Sequence, residues 1–439
     1  MSTSETTFVP LSDVAAPFPN SFVDGPFGSE MKSDEYTGDG IRLIQLQNIG
    51  DGIWFDENKK FISEQKFAAL KRHGAVPGDI AIAKMADPVA RSCLLPPVAN
   101  QFIVVADCIK LTTDKSKYDA GFVSRTINSH KTRREAELKS TGTTRLRINL
   151  SALKTVHIWA PPLPEQIRIT AVLDTVDEAI AKTEAVIAKL KQVRVGLLHD
   201  LLTRGLDEHG HFRDPVAHPE QFQDSPLGEI PTNWVCEPLS KHTISSAYGP
   251  RFSGEHYSER GNVALLRTTD MDDAGNLSLE RMPRADLIIE EFRGHFLEPR
   301  DFLISRSGTC GIGAVFLGFR VPVLPGAFLI RFRLASSLLP DFLRLYVNSE
   351  IGARRIRGLA EGGVQKNIRG TELLAHLVPV PLVSEQQRIL LVVQLFDAAT
   401  SVEETELAKL QQIKSGLMND LLTGRVRVPA NFDLLESTG

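Results

Sequence analysis

Between residues 165 and 203, apolar side chains recur at heptad spacing: Ile169, Leu173, Val176, Ile180, Ile187, Leu190, Leu197 and Leu201, with polar residues between them. That period puts them on one face of a helix with no internal breaker. Val172, Ala179, Val186 and Val193 widen the stripe, so the helix can bury one flank against a twin and offer the other to a second neighbour. The pattern returns 220 residues later at Ile389, Val393, Phe396, Leu407, Leu410, Leu417 and Leu421, with Val392 on its flank. Glu165-Gln166-Ile167-Arg168-Ile169 recurs as Glu385-Gln386-Gln387-Arg388-Ile389, and Gly196-Leu197-Leu198-His199-Asp200-Leu201-Leu202-Thr203 as Gly416-Leu417-Met418-Asn419-Asp420-Leu421-Leu422-Thr423. Of the 39 positions from 165 to 203, 18 match without a gap. Prolines precede both copies (Pro161, Pro162, Pro164; Pro379, Pro381), and Ser384 is placed as N-cap of the second. At ~1.5 Å per residue each helix is ~55–60 Å long, more than one small domain needs. Equal helices in one chain pair most economically antiparallel about a pseudo-dyad, with the preceding domains at opposite ends.

The segments before the helices echo each other more faintly. Leu43-Ile44-Gln45 answers Leu265-Leu266-Arg267, and Asp79-Ile80-Ala81-Ile82-Ala83-Lys84 answers Asp301-Phe302-Leu303-Ile304-Ser305-Arg306. Gly142-Thr143-Thr144-Arg145-Leu146-Arg147-Ile148 answers Gly362-Gly363-Val364-Gln365-Lys366-Asn367-Ile368. Alternation bounded by Gly, Pro and Asp predicts short strands and turns, with helical pieces at 131–139 and 340–355. The fold class expected is α+β: two mixed domains alternating with two long helices that pair as an antiparallel coiled coil. The boundaries read 1–160 for the first domain, 161–205 for its helix and 206–224 for a polar connector. The second domain then takes 225–380, its helix 381–426 and a tail 427–439. Trp234, after Ile230-Pro231, marks where packed structure resumes.

A length of 439 residues calls for more than one core, and 42% hydrophobic with 24% charged residues excludes disorder for most of it. No export signal and no run long enough for a membrane span is found, so a soluble, cytoplasmic protein is expected. Cys93, Cys108, Cys236 and Cys310 stand far apart, as isolated core thiols rather than zinc ligands or disulfides. Net charge is -4, but the basic residues cluster. Arg125, Lys131, Arg133, Arg134, Lys139, Arg145 and Arg147 close the first domain, and Arg354, Arg355, Arg357, Lys366 and Arg369 the second. Recurrence of the tract in both copies suits phosphate neutralisation, with Gln, Asn, Arg and Ser/Thr on nearby loops reading base edges.

Motifs of catalysis are missing. Gly308-Thr309-Cys310-Gly311-Ile312-Gly313 lacks dinucleotide spacing and the Lys-Ser/Thr of a phosphate loop, and reads as a turn after a strand. Asp87-Pro88 and Asp214-Pro215 are not continued as an amino-methyltransferase motif. His209, His211 and His218 lie in the connector without partner cysteines, as a solvated loop would have them.

Pro162-Leu163-Pro164-Glu165-Gln166-Ile167-Arg168-Ile169 and Glu385-Gln386-Gln387-Arg388-Ile389, each opening a long helix that ends in Asp-Leu-Leu-Thr, resemble the specificity subunit of type I restriction-modification systems. Gly25-Pro26-Phe27-Gly28-Ser29, the strand-turn run 40–50 and Ile230-Pro231 with Trp234 extend the likeness over almost the whole chain. The resemblance implies two target recognition domains that each read half of a split, asymmetric site on double-stranded DNA. It makes the helices a spacer and the docking surface for two methyltransferase subunits, through which restriction and translocase subunits join. The chain itself would be non-catalytic, with S-adenosylmethionine, Mg and ATP used in the partner subunits. Candidate DNA contacts are Gln45, Lys84, Arg145 and Arg147 in the first domain and Arg267, Arg306, Gln365 and Lys366 in the second. Candidate helix and partner contacts are Val172, Val176, Ile180, Ile187, Leu190, Leu197, Val392, Phe396, Leu407, Leu410 and Leu417. Three other readings stay open: a specificity chain serving a stand-alone methylase or left as an orphan, a protein-interaction scaffold that binds no DNA, and an enzyme acting through none of the motifs above.

Overall fold

A computed structural model describes residues 8–26, 30–85, 88–142, 145–359 and 367–432. The chain divides into two compact units, one of residues 1–185 with 405–439 and one of residues 186–404.

In the first unit a four-stranded antiparallel sheet runs Phe22–Asp24, Cys108–Leu111, Ile80–Ala83, Ser92–Leu94. Its inner strand Ile80–Ala83 is buried on both faces, which is why it reads as continuously apolar rather than alternating. A second sheet orders Phe61–Ile62, Ile41–Ile44, Phe102–Val104 and Gly74–Ala75, with Ile41–Ile44 parallel to Phe102–Val104. Helices Ala120–Asn128, His130–Leu138 and Leu150–Lys154 follow, each started by a side-chain cap from Asp119, Ser129 and Asn149. The ribbon of Phe8–Pro10 with His157–Trp159 closes the unit.

The second unit repeats this plan. Its antiparallel sheet runs Thr243–Tyr248, Leu329–Leu334, Phe302–Ser305, Gly313–Val315, and its mixed sheet Arg284–Ala285, Val263–Leu266, Val323–Pro325. The ribbon pairs Val235–Pro238 with Leu377–Val380. The helices Pro340–Asn348, Glu350–Gly358 and Gly370–Ala375 begin 220 residues after their counterparts, whereas the strands Val263–Leu266 and Phe302–Ser305 begin 222 after theirs. The offset is constant through these helices and changes in the part of each unit before them.

The long helices are Leu163–Thr203 and Val383–Leu421, of 41 and 39 residues. Each gives one end to each unit. In the first unit Asp177 pairs with Lys414 at 2.7 Å. In the second unit Arg194 pairs with Asp397 at 2.5 Å and Lys191 with Glu404 at 2.9 Å. Numbers that rise in one helix fall in its mate, so the helices run antiparallel within each unit. The pair Asp177/Lys414 maps onto Asp397/Arg194 at the offset of 220, the mark of a pseudo-two-fold repeat.

Local expectations needed three corrections. The stretch 340–355 is two helices, because Ser349 ends the first and caps the second through the Gly352 N–H at 3.1 Å. Ser384 lies inside the first turn of its helix, which begins at Val383; the first intrahelical bonds, from the Glu385 and Gln386 N–H groups, end on the Leu382 carbonyl. The connector carries more than polar links, since Leu206 is 1% exposed and Arg213 is buried in an ion pair.

Candidate nucleic-acid interface

The opening residues of each long helix fasten it to its unit. Gln166 is buried, accepts from the Asp119 N–H at 3.0 Å, and donates to the carbonyls of Lys117 at 3.1 Å and Pro161 at 2.7 Å. Gln386 accepts from the Leu339 N–H at 2.8 Å and donates to Ser337 and Pro381, both at 2.9 Å. Every partner is displaced by 220. One buried carboxamide thus satisfies a helix start and two loop carbonyls, groups that would cost ~1–3 kcal/mol each if left unpaired.

The neighbouring glutamates hold the chain that leaves the opposite helix. Glu165 accepts from both ends of the Arg427 guanidinium at 2.7 and 2.5 Å, which holds that guanidinium above its ordinary pKa. Glu385 takes Arg213 at 2.7 and 3.0 Å and the Leu206 N–H at 2.9 Å. The chain turns off the helices through Gly205 (φ +63) and Gly424 (φ +75), a left-handed conformation that costs glycine little. A Cβ on Gly205 would strike Glu385 and Trp234, and one on Gly424 would strike Trp159. These four polar residues were visible in the sequence as identities at the start of an apolar helix, but periodicity gives no role to a polar position.

The apolar positions divide by exposure. Ile187 is buried, while Val172, Val176, Ile180, Leu190, Leu197, Val392, Phe396, Leu407, Leu410 and Leu417 are half-buried. A second flank stays open in the second unit, where Val186 is 45%, Val193 43%, Leu391 53%, Leu395 63% and Val402 65% exposed.

In the strand half of the first unit, the Ile148 N–H bonds the Lys84 carbonyl at 2.9 Å, setting residues 145–148 beside Lys84 and Met85. Lys84 is nearly buried and paired with Asp24 at 2.9 Å. Arg147 is exposed and paired with Asp107 at 2.8 Å, and Arg145 is exposed with no side-chain partner among the described residues. Gln45 lies apart from this group, at the end of Ile41–Ile44, and accepts from Asn58 at 2.7 Å. In the second unit the Ile368 N–H bonds the Arg306 carbonyl in the same way. Arg306 stacks on the Tyr248 ring at 4.8 Å. Arg267 chelates Asp270 at 3.0 and 2.7 Å, an arrangement that raises the arginine's pKa. Gln365, Lys366 and the centre of the Gly25–Ser29 motif lie outside the described residues.

Much of each basic tract is spent inside its own unit. Arg125 pairs with Asp174 and Asp177, Arg133 with Asp51, Lys139 with Glu135, and Arg355 donates to the Leu227 carbonyl at 2.6 Å. The tracts are therefore not the uninterrupted basic faces that the sequence suggested. Among the described residues no cluster of His, Cys, Asp or Glu could hold a metal ion. His209 and His211 are exposed with rings 6.3 Å apart, and His218 pairs with Glu220. No described helix is long and apolar enough to cross a membrane.

Comparison with known proteins bears on this geometry directly. The family described as "Type I restriction modification DNA specificity domain" matches residues 91–192, from the strand half through the glutamine clamp into the long helix. Along 407 residues, 90% of this chain and 85% of the relative, it is 23% identical to the type I restriction enzyme MjaVIII specificity subunit of Methanocaldococcus jannaschii. The chain is thus similar, over most of its length, to specificity subunits of type I restriction enzymes. The likeness of fold reaches both ends. A chain solved in work on complex assembly and conformational transition of a type I R-M system superposes with a TM-score of 0.62 at 17% identity, covering 96% of this chain and 99% of that one. The HsdS subunit from Thermoanaerobacter tengcongensis gives a TM-score of 0.52 at 16% identity, covering 97% and 98%.

Proposed function

We propose that this chain is the DNA sequence-recognition subunit of a type I restriction-modification complex. The strand half of each unit reads one half of a bipartite, asymmetric target, and the segments 1–160 and 225–380 act as its target recognition domains. The repeated helices set the unread gap by their length and dock two methyltransferase subunits, which bring in the restriction subunits. Catalysis, with S-adenosylmethionine, Mg and ATP, belongs to those partners, and this chain supplies the address. The observation that carries the reading is the contrast within the repeat. The helix clamp recurs partner for partner at one offset, while the residues presented by the strand half differ. The open apolar flank of the helices supports protein docking there.

The decisive experiment is co-expression with the methyltransferase subunits and genome-wide mapping of methylated adenines. A bipartite motif with a constant gap is expected. Exchange of residues 8–159 for the matching segment of another such chain should change one half of the motif and leave the other. A change in both halves, or in neither, would overturn the two-reader arrangement. Complete loss of DNA binding with retained partner assembly would favour the interaction scaffold.

A further inference from the structure

The two units differ at one position that in the second borders a slot. In the first unit the hairpin from Ile80–Ala83 to Ser92–Leu94 is closed by the Ala83 N–H on the Arg91 carbonyl at 2.9 Å. The second unit makes the same bond from the Ser305 N–H to the Ile312 carbonyl at 3.0 Å. One residue on, Asn128 brackets Ser92 through its N–H at 2.9 Å and carbonyl at 2.8 Å; Asn348 brackets Gly313 likewise, both at 2.8 Å. Arg91 and Ile312 are therefore structural equivalents.

Arg91 reaches across to the turn that follows Ile41–Ile44. Its Nε donates to the Ile49 carbonyl at 2.6 Å and an Nη to the Leu46 carbonyl at 2.9 Å. At the equivalent turn, Thr268–Asp270, the place of Arg91 is taken by Ile312, whose side chain cannot make those bonds. Beside this turn in the second unit lies a cavity of ≈ 340 Å³, lined by Thr268, Thr269, Asp273, Ser307, Thr309 and Ile312 among others. The hydroxyls of Thr268, Thr269, Ser307 and Thr309 and the carboxylate of Asp273 make no side-chain hydrogen bond with the described residues. Ser305 is already committed, donating to the Thr309 carbonyl at 2.6 Å and accepting from the Ile312 N–H at 2.9 Å.

The chemistry of the slot is rich in acceptors. Where the first unit has a flat, donor-bearing guanidinium the second has an isoleucine, and four hydroxyls and a carboxylate line the cavity beside it. A phosphate is disfavoured, because Asp273 would repel it and the nearby Arg267 is held by Asp270. A base edge carrying an exocyclic amino group suits both the polarity and the size, since a carboxylate or hydroxyl accepts from cytosine N4 or adenine N6 in the major groove.

We propose that the second unit reads an amino-bearing base of its half-site through this slot, with Thr268, Thr269, Ser307, Thr309 and Asp273 as specificity-determining residues. The first unit, where Arg91 bonds the equivalent turn, reads its half-site through other residues. This rests on the DNA-reading function proposed above.

The test uses the full chain with its methyltransferase subunits and genome-wide mapping of methylated adenines. A Thr269→Val/Thr309→Val variant removes two hydroxyls at exposed positions. Ile312→Arg places the arginine of the first unit in the slot. Both should lower discrimination about tenfold at the same position of one half-site, leaving the other half-site and the gap unchanged. Relaxation at an A·T pair identifies adenine N6 as the group read, and at a C·G pair cytosine N4. Should Ile312→Arg fail to fold, the threonine variant decides alone. Both half-sites read at wild-type discrimination by the threonine variant, or relaxed together, would overturn the slot while leaving the general function standing. A wild-type chain that yields no bipartite motif would overturn both.

Discussion

Gln166 and Gln386 hold the same three backbone groups in the two units, whereas Arg91 bonds a turn whose counterpart in the second unit has isoleucine in that place. The helix end of each unit thus keeps its partners, and the strand end does not. The physical difference lies in what a substitution leaves behind. A lost clamp strands buried polar groups with no water to replace it. A lost arginine beside half-buried Leu46 leaves a carbonyl nearer the surface, so less is stranded. An isoleucine at position 312 is therefore tolerated, where a leucine in place of Gln386 would not be.

Four measurements test how far that contrast extends, each read unit by unit through hydrogen-exchange mass spectrometry on the full chain. The largest effect is expected from Glu385→Gln. Both partners of the Glu385–Arg213 pair are buried, with side chains 1% and 9% exposed, so breaking it should destabilise the second unit by about 3–5 kcal/mol. Glu165→Gln should cost the first unit less, because Arg427 is 41% exposed and keeps its hydration. Equal costs would show that burial of the arginine is not what separates them. Next come Gln166→Leu and Gln386→Leu, each expected to lower the stability of its own unit by about 2–3 kcal/mol and by similar amounts. A clear inequality would break the equivalence of the clamps. Arg91→Ile should speed exchange at residues 46–49 and cost about 1–2 kcal/mol, since two hydrogen bonds to carbonyls go. Unchanged exchange there would mean that the turn needs no lock.

The smallest effect is one of pH. Burial holds the His73 imidazole below its ordinary pKa, and burial together with the charge of Arg355 does the same for His376. The unfolded chain therefore takes up protons that the folded chain refuses as pH falls through the ordinary imidazole value, about 6.5. Stability is complete above that value and declines below it, until the folded-state value is passed. His73→Gln should flatten the acid slope of the first unit only, and His376→Gln that of the second only.

The helices and their repeat could be read from sequence because many heptad positions and a gapless offset report one face of one element. The strand half was legible as paired patterns such as Leu43-Ile44-Gln45 and Leu265-Leu266-Arg267, which the structure places at the same strand ends. Roles that depend on distant partners were not. Arg125 read as part of a basic tract, yet its carboxylates come from Asp174 and Asp177 on the long helix. Ser349 looked like helix interior because a cap declares itself only through the N–H it accepts from. The slot beside Ile312 was invisible for a related reason: an absent arginine is a feature only when the other copy shows what it would have held.

Glu165 meets Arg427 across 262 positions of chain, and Leu421, Leu422 and Val428 pack in the same core as Leu11, Phe122 and Trp159. The second unit, by contrast, is one continuous stretch from 186 to 404. During synthesis that stretch has emerged in full while the first unit still lacks the end of the second long helix and the arginine that seals it. The core begun before residue 186 is thus closed only by residues that follow the whole of the second unit.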